Sequence, residues 1–421
     1  MHSKPGSPRL TVTKMGMMAE EHDRFDGVLG NETALRLLGR ALETGEVSQA
    51  YLFHGPPGVG KRMVALRFGA ALVAGGDVAA EDRALRGLHP DLAEILPQGA
   101  FTTIGQVREI VRLAASRPFE GARRVFILQA DTLNVQAANA LLKTLEEPEG
   151  ETVFVLLAAS RERVLPTILS RAQALRFNPV PTGVVAGFLQ ERGAAEPGLA
   201  AELGRGSVGL SLRYAEDPEV GELREAVFKA GFALSEDFEG RHEAVRGIVG
   251  RAEAVGEARE RELLAESSEG GVATDSSGTD AAPPSKPDRR AKDAAKRAGR
   301  AARDGAVREA LELLALLYRD AAVIESGAEE LVANTDRVGE IRGYVEEYPG
   351  ADWAGAARAL GEARAALAYN VSPEAILEVK LSRIRQKILV PSRGSWTSGS
   401  RVGASPGSAT HGTSTSGSAT R

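Results

Sequence analysis

Short apolar runs alternate with segments of helical period over the first part of the chain, from about residue 21 to residue 180. Five of these runs are almost continuously apolar, which is typical of strands that are covered by helices on both faces. The runs are Tyr51–His54, Leu92–Leu96, Arg124–Leu128, Val153–Ala158 and Ala174–Phe177. Because strands and helices alternate, the pattern predicts an α/β domain with a doubly wound parallel sheet.

Beyond the sheet region the chain has helical periodicity without strand patterns. Residues 181–264 are rich in Ala, Leu, Glu and Arg and predict a small helical domain. Residues 265–305 include a Ser-, Gly-, Asp- and Pro-rich stretch, which predicts a disordered linker. Residues 306–390 predict a second helical domain. Residues 1–20 and 391–421 have no sustained period, so we expect a disordered extension and a disordered low-complexity tail.

Composition restricts the class of protein only slightly. The 421 residues carry a formal net charge of -5 and are 43% hydrophobic, which supports buried cores but no overall attraction to nucleic acid. No apolar run reaches the roughly 20 residues of a membrane span, and the first residues lack the apolar core of a signal peptide. We therefore expect a cytoplasmic protein without a membrane partner. The basic run Arg289–Arg303 fits a phosphate-contacting surface or, more simply, a solvated helix face.

A phosphate-binding loop follows the first predicted strand. The run GPPGVGKR fits the pattern G-x-x-x-x-G-K-[ST] except at its last position, where Arg62 replaces the hydroxyl residue that would bind Mg²⁺. Glycines that expose backbone N–H groups at the start of a helix favour phosphate, so the loop fits ATP or ADP as a ligand. The alternative is a structural or DNA-binding module in which the loop is a relic without a nucleotide. The predicted nucleotide-binding residues of this degenerate loop are Gly55, Pro56, Pro57, Gly58, Val59, Gly60, Lys61 and Arg62.

The carboxylates needed for ATP hydrolysis are also missing. An Asp-Glu pair should end the third predicted strand, but Leu128–Gln129 or Gln129–Ala130 stands there, depending on the register. Asp131 is the nearest acid, and an Asp that opens a loop is more often a turn or cap residue. These losses indicate that the chain no longer hydrolyses ATP. An active ATPase with an unusual magnesium arrangement remains the alternative.

Two motifs farther along resemble the bacterial clamp-loader branch of the AAA+ family. The Leu-Leu-Lys-x-Leu-Glu-Glu-Pro helix of that branch reads ANALLKTLEEPEG here, and its Ser-Arg-Cys motif reads Ser170-Arg171-Ala172. The resemblance covers roughly residues 25–212, and residues 308–389 are similar to the collar domain of the family. It implies an AAA+ sheet domain, a helical lid and a collar through which subunits oligomerise.

The resemblance also implies roles for single residues. Arg171 matches the arginine finger, which a subunit supplies in trans to the nucleotide of its neighbour; a surface arginine in a turn is the plain alternative. Ser160 matches a sensor-like position, and Gly209 stands where the motor subunit has a sensor arginine. With this third loss, the chain is similar to the delta-prime or stator type of subunit. The active gamma/tau motor type stays open as the alternative.

Partners and cofactors follow from the same resemblance. It implies the gamma/tau and delta subunits as partners, the sliding clamp indirectly, and primed DNA within the assembled complex. The implied setting is the DNA-directed DNA polymerase III holoenzyme, in which this chain itself is not an active ATPase.

Three side-chain features carry less weight. The family's four-cysteine zinc module is missing because the chain has no cysteine, and His89 alone makes no zinc site, so we expect no zinc. Glu146 and Glu147 are interpreted as a surface feature rather than a catalytic pair. Lys143 fits a solvated lysine better than a DNA contact.

Overall fold

A computed structural model describes residues 24–97, 101–146, 151–233, 236–269, 289–363 and 372–389. Its first domain contains a five-stranded, wholly parallel sheet of order β2-β3-β4-β1-β5. The strands are β1 (Ala50–His54), β2 (Leu92–Ile95), β3 (Arg124–Gln129), β4 (Thr152–Ala158) and β5 (Gln173–Arg176). Each begins and ends within one residue of its predicted position, so the predicted α/β fold class is confirmed. The predicted extension 1–20 and tail 391–421 lie outside the described residues.

Helices cover both faces of the sheet. They are α1 (Glu32–Thr44), α2 (Lys61–Ala74), α3 (Val78–Leu85), α4 (Ile104–Ala114), α5 (Val135–Glu146) and α6 (Pro166–Leu169). Successive residues of a strand point to opposite faces, so β1 contributes to two cores. Tyr51 and Phe53 pack in one cluster with Phe68 of α2. Leu52 packs in the other cluster with Leu141 of α5.

A buried ion pair holds Asp91, just before β2, against the sheet domain. The carboxylate of Asp91 is fully buried and accepts N–H bonds from Phe119, Glu120 and Gly121 at 2.8, 2.9 and 2.9 Å. Arg124 on β3 donates to the same carboxylate through Nε and Nη2, at 3.0 and 2.9 Å. Charged hydrogen bonds therefore connect this segment to the sheet without cysteine.

A small lid follows the sheet domain. It consists of α7 (Thr182–Glu191), α8 (Pro197–Gly204) and α9 (Val208–Glu216). Its own core is small and includes Val185, Leu189 and Ala200.

The C-terminal helical unit begins earlier than the sequence predicted. It consists of α10 (Pro218–Phe232), α11 (Phe238–Glu269), α12 (Arg289–Glu325), α13 (Val338–Glu347), α14 (Trp353–Ala363) and α15 (Pro373–Leu389). Val227 of α10 and Ile248 of α11 share one hydrophobic core with Leu314 of α12. The Tyr318 hydroxyl donates to the Gly231 carbonyl at 3.0 Å. The lid therefore ends near residue 217 rather than residue 264.

The predicted linker 265–305 also differs from the structure. Helix α11 continues to Glu269 and α12 starts at Arg289, so both ends of this stretch are helical, while residues 270–288 lie outside the described residues. The two helices pack closely, because a Cβ on Gly256 or Gly299 would lie 2.8 Å from the other's carbonyl oxygen. The low-complexity stretch thus joins two helices that pack on each other. Its composition indicates a loop but cannot reveal that the flanking helices pair.

Within the described residues, no helix combines the length and the apolar character that crossing a membrane requires.

Candidate nucleotide-binding site

A cavity of about 480 Å³ lies at the carboxyl ends of β1, β3 and β4. This is where open parallel sheets bind ligands, and the volume suits a small molecule. The phosphate-binding loop, residues Gly27–Leu29 and α9 of the lid all contribute to its lining. The lining residues are Gly27, Val28, Leu29, Pro57, Gly58, Val59, Gly60, Lys61, Arg62, Met63, Gln129, Asp131, Leu157, Ala158, Ala159, Val208, Gly209 and Leu212.

Two glycines give the loop its shape. Gly55 has φ 151°, and a Cβ there would lie 2.0 Å from the Phe177 carbonyl oxygen. Gly58 has φ 76°, and a Cβ there would lie 1.8 Å from the Ser207 hydroxyl of the lid. Any other residue at these positions would be strained and would displace a neighbour. Of the predicted loop residues, Pro57 to Arg62 line the cavity, whereas Gly55 and Pro56 do not.

Lys61 lies at the start of α2 and folds back onto the loop. Its Nζ donates to the carbonyl oxygens of Gly55 and Pro56 at 2.6 and 2.5 Å. Burial lowers the pKa of Lys61 to about 8, and the nearby negative charge of Asp131 opposes that shift. The side chain is therefore still mostly protonated at neutral pH, and a phosphate entering the loop has a cation to bind.

Arg62 makes a two-pronged ion pair with Glu94 of β2. Nε donates to Oε1 and Nη2 to Oε2, both at 2.5 Å. The hydrogen bond to Glu94 raises the pKa of Arg62, although burial opposes the change. A guanidinium group therefore lies beside the position where the motif would present a hydroxyl to Mg²⁺. A fixed cation repels a metal ion, so the geometry agrees with the expected loss of the magnesium ligand.

The end of β3 supplies no catalytic pair of carboxylates. Among the residues described, Asp131 is the one carboxylate that lines the cavity. Its Oδ2 accepts the Ala159 N–H at 3.0 Å, which ties the ends of β3 and β4 together. This contact agrees with the interpretation of Asp131 as a turn residue. Gln129, at the strand end, also faces the cavity and cannot act as a base.

The lid contacts the loop through its backbone. The Gly209 N–H donates to the Gly58 carbonyl oxygen at 3.2 Å. Gly209 is the residue at the position where an active motor subunit is expected to have its sensor arginine. Arg213, one turn later, points to the C-terminal unit and pairs with the buried Glu309 at 2.9 Å. The hydroxyl of Ser160, the predicted sensor-like residue, donates to the Glu162 carboxylate. Ala158 and Ala159, just before Ser160, line the cavity.

Arg171 lies apart from this cavity, after α6, on an exposed surface. Its Nε donates to Glu146 Oε1 at 2.6 Å, and a second guanidinium nitrogen contacts the same carboxylate. Its Nη1 donates to the Thr167 carbonyl at 2.8 Å and the Ser170 hydroxyl at 2.9 Å. The guanidinium is thus held in one direction by three groups. Glu147, the other member of the predicted surface pair, lies outside the described residues.

Sequence reasoning missed two contacts that shape these sites, although it did single out Glu146 as a surface residue. Glu94 fixes Arg62 from a different strand, and Glu146 fixes Arg171 from a different helix. No local pattern links either pair, because the partners are 32 and 25 positions apart.

Comparison with known proteins gives a consistent resemblance. Residues 30–181 match the family model described as "DNA polymerase III, delta subunit". The delta-prime subunit of Pseudomonas aeruginosa DNA polymerase III is 41% identical over 135 residues, 30% of this chain and 41% of that protein. The delta-prime subunit of Bacillus subtilis is 31% identical over 205 residues, 46% of this chain and 62% of that protein. The predicted resemblance to delta-prime subunits is thereby confirmed.

Two further similarities are more distant. The tau subunit of Bacillus subtilis DNA polymerase III is 30% identical over 220 residues, 50% of this chain and 38% of that protein. A crystal structure of a DNA polymerase III gamma subunit-related protein from Thermotoga maritima aligns with TM-score 0.38 and 19% identity, covering 83% of this chain and 99% of that one. The matches to the two delta-prime relatives span only 41% and 62% of their lengths, so they carry no conclusion about the activity of a whole protein.

Proposed function

We propose that this chain is a delta-prime-type stator of a bacterial clamp loader and acts in the cytoplasm as part of a DNA polymerase III holoenzyme. In this proposal it assembles with gamma/tau and delta subunits and acts on the sliding clamp indirectly, at primed DNA held by the complex. The resemblance of residues 30–181 to delta-type subunits supports this assignment. The C-terminal helical unit would serve as the collar.

The first part of the proposal is that the chain binds ATP or ADP but does not hydrolyse it. Its support is the cavity itself: the loop and the protonated Lys61 suit phosphate. Arg62 stands at the motif position of the metal-binding hydroxyl and pairs with Glu94, and Asp131 Oδ2 accepts the Ala159 N–H. Without a metal ligand and a base, the γ-phosphate has no activated water to attack it.

The second part is that Arg171 acts in trans. Its position supports the proposal, because Arg171 is exposed and does not line the cavity of its own chain, as a group that acts on the nucleotide of another subunit requires. A guanidinium there would offset the negative charge that develops on the transferred phosphoryl group. To do so, the guanidinium would have to exchange its present contacts with Glu146, Thr167 and Ser170 for a phosphate.

The test uses the complete complex with gamma/tau and delta subunits and measures ATP hydrolysis stimulated by clamp and primed DNA. We expect Arg171→Ala to lower the rate at the adjacent motor site by roughly 10³-fold or more, as arginine fingers do. Arg171→Lys should rescue little, since an ammonium lacks the planar fork. Arg163→Ala, an exposed arginine close by, is the matched control and should leave the rate unchanged.

Equal rates for Arg171→Ala and Arg163→Ala, in complexes shown to be assembled, would rule out the finger. Hydrolysis by the isolated chain would favour the alternative function, an active motor ATPase of the gamma/tau type, which the resemblance to tau keeps open. In that case Lys61→Ala should abolish hydrolysis by the isolated chain. Under the stator proposal the isolated chain is inert, and Lys61→Ala affects nucleotide binding only.

A further inference from the structure

Three side chains with metal-ligating atoms meet in the C-terminal helical unit, far along the chain from the nucleotide site. They are His242 of α11 and Glu374 and Glu378 of α15. One ligand atom from each lies within 4.8 Å of the other two. His242 Nδ1 is 2.5 Å from Glu378 Oε1.

The backbone brings these groups together without strain. Glu374 and Glu378 are four positions apart on α15, so they lie on the same face one turn apart. His242 is in the second turn of α11, and the Phe238 ring stacks on its imidazole with centroids 5.9 Å apart and planes at 11°. The contact with Glu378 places Nδ1 on the side of α15.

The pairing of His242 and Glu378 does not explain the third residue. A protonated imidazole bonded to one carboxylate is already a complete ion pair. Glu374 makes no hydrogen bond or ion pair in the described part of the chain, yet it lies beside a carboxylate of the same charge. Two carboxylate oxygens this close to each other and to an imidazole nitrogen form a set of donors that can converge on one cation. A divalent ion with two carboxylates and a neutral imidazole gives a site without net charge.

We propose that His242, Glu374 and Glu378 form a site for a divalent transition-metal ion, Zn²⁺ by its ligand chemistry. One imidazole nitrogen and two carboxylate oxygens are ligands of the kind Zn²⁺ accepts, and a fourth position would hold water. Two surface grooves, of about 580 and 320 Å³, meet at His242 and give that position access to solvent. The ion connects α15 to α11 and so stabilises the packing of α15 on the rest of the helical unit.

This site does not depend on the proposed function. The expectation that the chain lacks zinc rests on the absence of cysteine. The ligands of this site are a histidine and two glutamates, so that expectation does not apply to it. A positive result would correct that expectation.

The test uses the full chain, stripped with EDTA and dialysed against increasing Zn²⁺, with bound metal measured by mass spectrometry. We expect wild type to bind one more Zn²⁺ per chain than His242→Ala, Glu374→Gln or Glu378→Gln. Glu239→Gln, an exposed neighbour on α11, is the matched control and should bind as wild type does. Zn²⁺ at about 100 times its Kd should raise the apparent Tm of wild type by roughly 5 °C. The three ligand variants should show no such shift.

Glu374→Gln is the decisive variant, because it removes a ligand without breaking any hydrogen bond or ion pair seen in the described part of the chain. If it binds Zn²⁺ with the same stoichiometry and affinity as wild type, the proposal is wrong. The proposal also fails if wild type, Glu239→Gln and Glu374→Gln all bind the same amount of Zn²⁺. Either result would leave His242 and Glu378 as an ion pair only.

Discussion

The buried pair of Asp91 and Arg124 gives the most quantitative prediction. Asp91→Asn keeps the size of the side chain but removes the charge that faces Arg124, whose side chain is only 10% exposed. Removing one partner of a buried pair typically destabilises by about 3–5 kcal/mol. Arg124 keeps neutral acceptors in the Leu113 carbonyl and the Ser116 hydroxyl, both at 2.6 Å. We therefore expect the lower end of the range, a loss of about 3 kcal/mol.

Asp91→Ala should be worse, because it leaves all three backbone N–H groups without their acceptor, whereas the single amide oxygen of Asn still accepts from part of them. Each such bond contributes on the order of 1 kcal/mol, so the loss should approach about 5 kcal/mol. A domain of this size shifts by about 2–4 °C in Tm per kcal/mol, so Asp91→Asn predicts a fall of roughly 6–12 °C. Because the chain has several helical units, the local readout is hydrogen exchange at the amides of residues 119–121.

The control is Asp82→Asn, which removes an exposed i,i+4 ion pair with Arg86. It should change stability by less than about 0.5 kcal/mol. If Asp91→Asn changes stability and exchange no more than this control does, packing rather than the ion pair holds the segment.

The pH dependence provides a second check on Asp91. Burial opposes ionisation, but the N–H groups of Phe119, Gly121 and Glu120 and the Arg124 guanidinium outweigh it, so the pKa of Asp91 lies below its ordinary 3.8. A lowered carboxyl pKa stabilises the folded state fully above the unfolded value and progressively less as pH falls through the folded value. The difference between wild type and Asp91→Asn should therefore be constant at neutral pH and shrink below about pH 4.

Three further predictions concern charges near the cavity and the lid. Because Arg62 repels a metal ion, the affinity of wild type for ATP should be the same, within about 3-fold, in EDTA and in Mg²⁺. The Arg62→Ser variant should bind ATP more tightly in Mg²⁺ than in EDTA, and calorimetry measures both affinities. Since burial lowers the Lys61 pKa to about 8, the affinity for ATP should fall as pH rises through 8, and Lys61→Ala should remove this dependence. Burial raises the pKa of Glu309 above 4.5, although Arg213 opposes it. A carboxyl pKa that is raised in the folded state favours folding below the pKa of the unfolded state. In urea unfolding, the free energy of unfolding of wild type relative to Glu309→Gln should therefore be higher at pH 4 than at pH 7.5.

The sheet and the phosphate-binding loop could be predicted from sequence because their signals are local. Strands buried on both faces are continuous apolar runs, and the loop is a motif of eight adjacent positions. The ion pairs of Arg62 and Arg171 could not be predicted, since each partner comes from an element that the fold alone brings near. The lid boundary failed for a related reason. Helical periodicity shows that α10 and α11 have an apolar face, but it does not show which helices that face contacts.

The loop has a structural role that is independent of hydrolysis. Gly58 contacts the lid twice: its carbonyl accepts the Gly209 N–H, and its missing side chain leaves room for the Ser207 hydroxyl. A stator needs a lid that stays fixed on the sheet domain, and this contact requires glycine at position 58 whether or not nucleotide is bound. Gly58 therefore serves the lid contact as well as the phosphate-binding shape of the loop. Lys61 is different, because its amino group bonds loop carbonyls rather than the lid. Its loss should remove phosphate binding while the lid stays in place, which separates the two roles.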